Sequence, residues 1–291
     1  MPDRSSIILP MNRLSTAKRV QIVSALVEGN SIRATCRMTG AAKGTVLKLL
    51  RDVGRATELF SNDALVNLPC KRIQCDEIWT FCHAKQRNVP VEKAGTFGYG
   101  DVWTWTAICA DTKLAVGWLV GRRDEETCVQ FMTDLASRLA NRVQLTTDGH
   151  HSYLVAVDEA FGQNVDFSQL IKIYTSVRGS EGRYSPPKCS GCRREPVTGD
   201  PDPAHVSTSF VERQNLTMRM GMRRFTRLTN AFSKNVYNLA DAVALHFTYY
   251  NFCRVHQTLK RTPAMAAGIA DHPWSLGELV GLLEAAESAS N

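Results

Sequence analysis

The sequence has no run of about 18 apolar residues, the length that a membrane-crossing helix needs. The opening residues, MPDRSSIILPMNRLS, contain only the apolar stretch IILP, too short for a secretion signal. Met11 is an alternative start to Met1, since ordered patterning begins after it. No internal repeat recurs, so the chain is not an array of stacked units. There is no paired cysteine framework. The nine cysteines are an odd number scattered mostly through apolar segments, which with no secretory signal points to reduced thiols in a cytosol. Acid is scarce in one place above all. From Thr208 to Asn230 the chain reads TSFVERQNLTMRMGMRRFTRLTN, with Glu212 the single carboxylate among five arginines. A solvated helix face usually mixes signs, because opposite charges one turn apart support each other. A strip this one-sided suits a polyanion, with the lone acid kept for a separate task.

The chain has 291 residues, 44% of them hydrophobic, enough for one main domain with an appendage. Its net charge of +7 agrees with a nucleic-acid partner. Residues 12–54 read as three short helices: LSTAKRVQIVSALVEG, then SIRATCRM capped by Asn30 or Ser31, then AAKGTVLKLLRDVG ending at Gly54. With a Gly turn before the last, this is a helix-turn-helix pattern. It sets Lys43, Thr45 and Lys48 on the exposed part of a recognition helix. Residues 55–70 read as a helical linker.

From Cys70 the texture changes. KRIQCDEIWTFCH, VWTWTAICAD and KLAVGWLVG are strand-like runs; a helix, the short strand RVQLTTD and the helix HSYLVAVDEAFG follow. An antiparallel meander joined by a returning strand is the skeleton of an RNase H-like domain, here spanning 71–262. The fold class expected is α/β: a mixed sheet with helices, preceded by an all-α helix-turn-helix unit. Residues 162–205, rich in Pro, Gly and Asp near PPKCSGCRREPVTGDPDPAH, read as a loop insertion. Helix returns from Val206 to Phe252 with a break near Asn230, and 263–291 is a tail with a short helix from Leu276.

Asp76 sits inside one apolar run and Asp148 ends another. Phosphodiester cleavage needs stabilisation of charge on attacking and leaving oxygens. Two Mg²⁺ ions roughly 3.5–4 Å apart supply it. Mg²⁺ takes few protein carboxylates, so Asp76, Asp148 and Glu212 suffice as catalytic metal ligands, with Mn²⁺ able to substitute. Asp76 and Glu77 face opposite sides of a strand, so only one joins the site directly; Asp76 is the expected ligand, and Glu77 points outward or holds an arginine. The same spacing also suits Asp76 and Asp148 as structural partners of arginines. Asn215, one turn after Glu212, is placed to orient it or reach DNA.

Three segments carry a resemblance: CDEIWTF around Asp76, TTDGHHSYL around Asp148, and ERQNLTMRMGMRRFTRLTNAFSKN from Glu212, followed by YNFCRVHQTL. The chain resembles the DDE transposases of bacterial insertion sequences, most closely the insertion-sequence 1 family, over roughly residues 12–270. The resemblance implies an RNase H-like core with Asp76, Asp148 and Glu212 as its D, D and E. It implies double-stranded DNA as partner, both the element's terminal inverted repeats and target DNA, and a homo-oligomer, at least a dimer, on that DNA. Arg219, two turns after Glu212, matches the offset of a basic residue that contacts end DNA; Arg223 and Arg224 continue the basic strip. Family members often carry an N-terminal zinc-finger region instead of the helical unit read here. A nuclease or resolvase without strand transfer, and a DNA-binding regulator with a dead catalytic domain, are the alternatives. Cys189-x-x-Cys192 is half of a tetrahedral zinc site whose other half is not local, and reads as two free thiols in a loop.

Overall fold

Period-two stretches become a six-stranded sheet in a computed structural model that describes residues 13–175, 188–226 and 229–289. The strands are β1 (Arg72–Cys82), β2 (Gly100–Cys109), β3 (Ala115–Gly121), β4 (Val143–Asp148), β5 (Val165–Thr175) and β6 (Lys188–Thr198), in the order β3-β2-β1-β4-β5-β6. β1, β2 and β3 form an antiparallel meander; β4 and β5 run parallel to β1; β6 returns antiparallel. This mixed order is consistent with an RNase H-like core.

Both faces of the sheet are covered, and β1 supplies both. Ile73 and Cys75 enter a core with Trp105, Phe131, Tyr153 and Phe167. That core lies under helices α4 (Glu125–Arg138) and α5 (Ser152–Phe161). Ile78 enters the opposite core with Met218, Leu239 and Phe247, under α6 (Ser209–Gly221) and α7 (Val236–Thr248). Strand alternation therefore assigns Asp76 to the α6 side and Glu77 to the α4/α5 side.

The helical unit forms as α1 (Thr16–Val27), α2 (Ile32–Thr39) and α3 (Lys43–Ala64). Ser15 and Ser31 accept hydrogen bonds from the backbone N–H of Lys18 and Ala34 at 3.3 and 3.1 Å, capping the first two helices. α2 stops at Gly40, whose φ of +69° is the left-handed cap conformation. The expected end of the third helix at Gly54 is overturned. α3 continues to Ala64, so much of the expected linker is the same helix. Gly54 is instead a crossing point: a Cβ there would lie 2.5 Å from Asp241 Cβ on α7. Residues 263–291 are also more than a tail. After the short α8 (Pro263–Ala266), α9 (Leu276–Ala289) packs Leu279, Val280 and Leu283 against Ile22, Val46 and Leu50. Arg19, buried to 5% exposure, pairs there with Glu287 at 3.1 Å.

The stretch 162–205, read as a loop insertion, holds the two eleven-residue strands β5 and β6. VDFSQLIKIYT alternates well enough for a strand. CSGCRREPVT does not; it is drawn into the sheet by pairing with β5, and strand propensity yields to context. Residues 176–187, Arg227 and both candidate start methionines lie outside the described residues. Among the described residues no helix is long and apolar enough to cross a membrane.

Candidate active site

The site is built where β1 and β4 part. Their parallel register runs Arg72↔Gln144, Ile73↔Leu145, Gln74↔Thr146 and then stops, although β1 continues to Cys82. Extending that register by two residues sets Asp76 opposite Asp148, the last residue of β4. Asp148 is fixed locally: its Oδ1 accepts from His150 N at 2.9 Å, and Gln169 Nε2 on β5 donates to its carbonyl at 3.0 Å. Asp76 Oδ1 accepts from Glu77 N at 2.9 Å, and Asp76 Oδ2 accepts from Asn215 Nδ2 of α6 at 2.8 Å. Asn215 is thus the residue that orients Asp76, rather than Glu212.

Glu77 departs from expectation. The pleat does turn it to the other face, where it is buried, receives a hydrogen bond from Tyr153 OH at 3.0 Å and pairs with Arg123 at 2.6 Å. Holding an arginine was one of the two expected outcomes; pointing outward is excluded. Yet carboxylate oxygens of Asp76, Glu77 and Asp148 all lie within 4.8 Å of one another, a group that could hold a metal ion. The fork accounts for this: β1 stays paired to β2, but its pairing with β4 stops after Gln74, and on that open edge side chains from both faces of β1 can approach Asp148. Arg123 stacks on Trp103 and reaches within 4.0 Å of Asp148.

The electrostatics agree with a crowded anionic site. Burial, then the negative charge of Glu77 and Asp148, pushes the Asp76 carboxyl up to about 7; Glu212 adds to the rise. Burial and Asp148 likewise raise Glu77 against the opposing pull of Arg123. Carboxylates this close resist ionising together unless a cation joins them. An all-oxygen donor set with one acid held part-protonated fits a hard divalent cation such as Mg²⁺ or Mn²⁺.

Glu212 reaches the same face on the first turn of α6, but outside that close trio. Lys172 Nζ on β5 holds its Oε1 at 2.5 Å, and Thr208 Oγ1 donates to it. Burial depresses the Lys172 ammonium, but the hydrogen bond and charge of Glu212 more than reverse this, and its pKa is raised. α6 itself is docked by β1. Gln74 Oε1 accepts from Phe210 N at 2.8 Å and Val211 N at 3.2 Å, so a strand side chain caps the helix that carries Glu212. Neither Gln74, Lys172, Arg123 nor Tyr153 was foreseen. Only the period-two face shared by Gln74 and Asp76 hinted at the first.

The remaining candidates are scattered. Lys43 and Lys48 are exposed and Thr45 half-buried on the first turns of α3; Lys48 pairs with Asp52 at 2.5 Å. Arg219 lies half-buried on α6, with Nη1 3.5 Å from the Phe225 carbonyl. The basic strip is not one helix, however. α6 ends at Gly221 and Met222 is extended, so Arg223 and Arg224 sit on a separate 3-10 turn, Arg223–Phe225. Arg223 is exposed, whereas Arg224 turns inward to donate to Ser233 Oγ at 2.7 Å. Burial lowers its pKa to about 10. Cys189 and Cys192 lie exposed on β6, opposite Tyr174 and Lys172, not in a loop.

No family model matches the sequence, and no curated protein does. Among solved structures, the piggyBac transposase synaptic complex with hairpin DNA aligns over 99% of this chain and 74% of that chain. The TM-score is 0.40 and the identity 11%. At that identity and TM-score the match assigns this chain neither a family nor a function.

Proposed function

We propose that this protein is a DDE transposase of the bacterial insertion-sequence kind, resembling the insertion-sequence 1 family, that cuts and joins double-stranded DNA at the ends of its element. The observation that carries the reading is the β1/β4 fork. It gathers Asp76, Asp148 and Glu77, with Glu212 beside them on a helix that β1 itself docks. Mg²⁺ held by Asp76 and Asp148, with Glu212 recruited from Lys172, would stabilise charge on the attacking and leaving oxygens. The chain's own residues set the geometry. Asn215 fixes the Asp76 carboxylate, and Arg123 with Tyr153 fixes Glu77 behind it. Arg219 and Arg223, with Lys43, Thr45 and Lys48 on α3, are the proposed contacts to phosphate and base edges. In the first step a water oxygen attacks the phosphorus at the element end and the bond to the 3′ oxygen breaks, freeing a 3′-OH. In the second that 3′-OH attacks a target phosphodiester, a new P–O bond forms, and the target's own 3′ oxygen leaves.

The test incubates the full chain with end-containing DNA and Mg²⁺ or Mn²⁺, scoring nicking at one phosphodiester and joining to a target. Asp76→Asn, Asp148→Asn and Glu212→Gln should each abolish both steps while DNA binding persists. Full cleavage by Asp76→Asn or Glu212→Gln would overturn the assignment. Nicking without joining would reduce it to a nuclease.

A further inference from the structure

A cationic concavity lies apart from the acidic fork. A cleft of about 720 Å³ opens between the helical unit and the far end of α6 and α7. Its volume lies within the range of small-molecule sites, roughly 300–1,000 Å³. Its apolar lining is Leu26 from α1, Leu47 and Leu50 from α3, and Leu245 from α7. Its basic lining is Arg33, Lys43, Arg223, Arg224 and Lys234, with no acid among the described lining residues.

Two polar atoms behind this cleft are buried without a partner among the described residues. Arg224 spends one side of its guanidinium on Ser233, but its Nη2 is buried with no hydrogen bond. His246, 5% exposed, leaves Nε2 without a partner as well. A buried guanidinium nitrogen with nothing to donate to costs free energy, which an anion would recover once the Arg224 side chain turned from Ser233 into the cleft. The donors, the lack of acid among the described lining residues and the leucine side chains together suit a ligand with an anionic group and an apolar part.

We infer that this cleft binds a nucleotide, with its phosphate among the basic side chains and its base against the leucines. The site is separate from the acidic fork and does not depend on the function proposed for it. The nucleotide comes either free or as an unstacked residue of a DNA strand, and both present the same chemistry.

The experiment titrates the full chain with AMP by calorimetry, in EDTA so that no metal can recruit phosphate to the acidic fork. AMP should bind once per chain. The pair Arg33→Glu and Lys234→Glu, both on the exposed rim and neither a proposed DNA contact, should weaken it about tenfold or more. Leu47→Trp, which fills the apolar side, should do the same, with circular dichroism confirming that each variant is folded. Asp76→Asn should bind AMP as the parent does, which separates this site from the acidic one. A 5′-phosphorylated single-stranded dinucleotide is the second arm: tighter binding than AMP assigns the site to a strand, weaker binding to a free nucleotide. No saturable AMP binding, equal binding of adenosine and AMP, equal binding of inorganic phosphate and AMP, or loss of AMP binding in Asp76→Asn would each overturn the inference.

Discussion

Replacing Asp76 with Asn should stabilise the metal-free protein, and by an amount that depends on pH. Asp76 titrates near 7 in the fold because it is buried beside Glu77 and Asp148, against 3.8 for an unperturbed carboxyl. The sign follows from linkage. An acid whose folded pKa is raised leaves the fold intact below the unfolded value; its ionisation then costs stability progressively as pH rises from about 4 through 7. A shift of about three units corresponds to about 4 kcal/mol at pH 8 as an upper bound, and relaxation of the site brings a realistic figure to about 1–3 kcal/mol. The substitution loses no hydrogen bond. Glu77 N can still donate to the new amide oxygen. Asn215 Oδ1, buried and without a partner, can accept from the new NH₂ once the Asn215 amide turns over. In EDTA at pH 8 the melting temperature should rise by about 2–8 °C, and at pH 4 the gain should vanish. Added Mg²⁺ should stabilise the parent but not the variant, because metal binding shifts the folding equilibrium only where ligands exist. A variant less stable than the parent at pH 8 in EDTA would show that Asp76 is a satisfied structural acid, and the metal-site argument would fail with it.

Gly54→Ala should destabilise the fold by about 1–2 kcal/mol. The helix-propensity gain of about 1 kcal/mol is outweighed by forcing α3 off α7, where the new Cβ would meet Asp241 Cβ at 2.5 Å. A rise in melting temperature would refute that close crossing. Gln74→Ala removes the cap that β1 gives α6; cleavage should fall at least tenfold while DNA affinity stays within about twofold, and unchanged cleavage would show that α6 docks without it. Tyr153→Phe leaves a Glu77 oxygen short of a buried donor and should cost about 1–3 kcal/mol by chemical denaturation; a neutral result would place water, not Tyr153, as its partner. Changing Lys48 or Arg223 to Gln should lower DNA affinity and reduce its dependence on salt by about one unit of slope, and affinity unchanged across salt concentrations would remove that residue from the interface.

Local patterning carried much of this architecture. The runs around β1, β2, β3 and β4 alternate or stay apolar over strand lengths between turn residues. The first two helices announce themselves through Ser15 and Ser31. The isolation of Asp76, Asp148 and Glu212 was likewise visible in one dimension, because a lone acid in an apolar or basic stretch breaks the usual mixing of charge. What pattern could not supply is anything that depends on residues distant in sequence. Gly54 resembles a helix stop, and only the arrival of Asp241 makes it a crossing point. β6 has weak strand propensity of its own and exists through pairing with β5. α9 looks like a fraying tail until Leu279 and Leu283 meet Ile22 and Leu50. At the site the parity of β1 correctly split Asp76 from Glu77, yet the parting of β1 from β4 after Gln74 leaves both carboxylates close to Asp148. Lys172 on Glu212 and Gln74 under α6 are partners no spacing rule could select. Hydrophobic period and capping act over a few residues and can be read along the chain. Ion pairs, helix docking and the meeting of carboxylates are set by which elements the fold brings within a few ångströms.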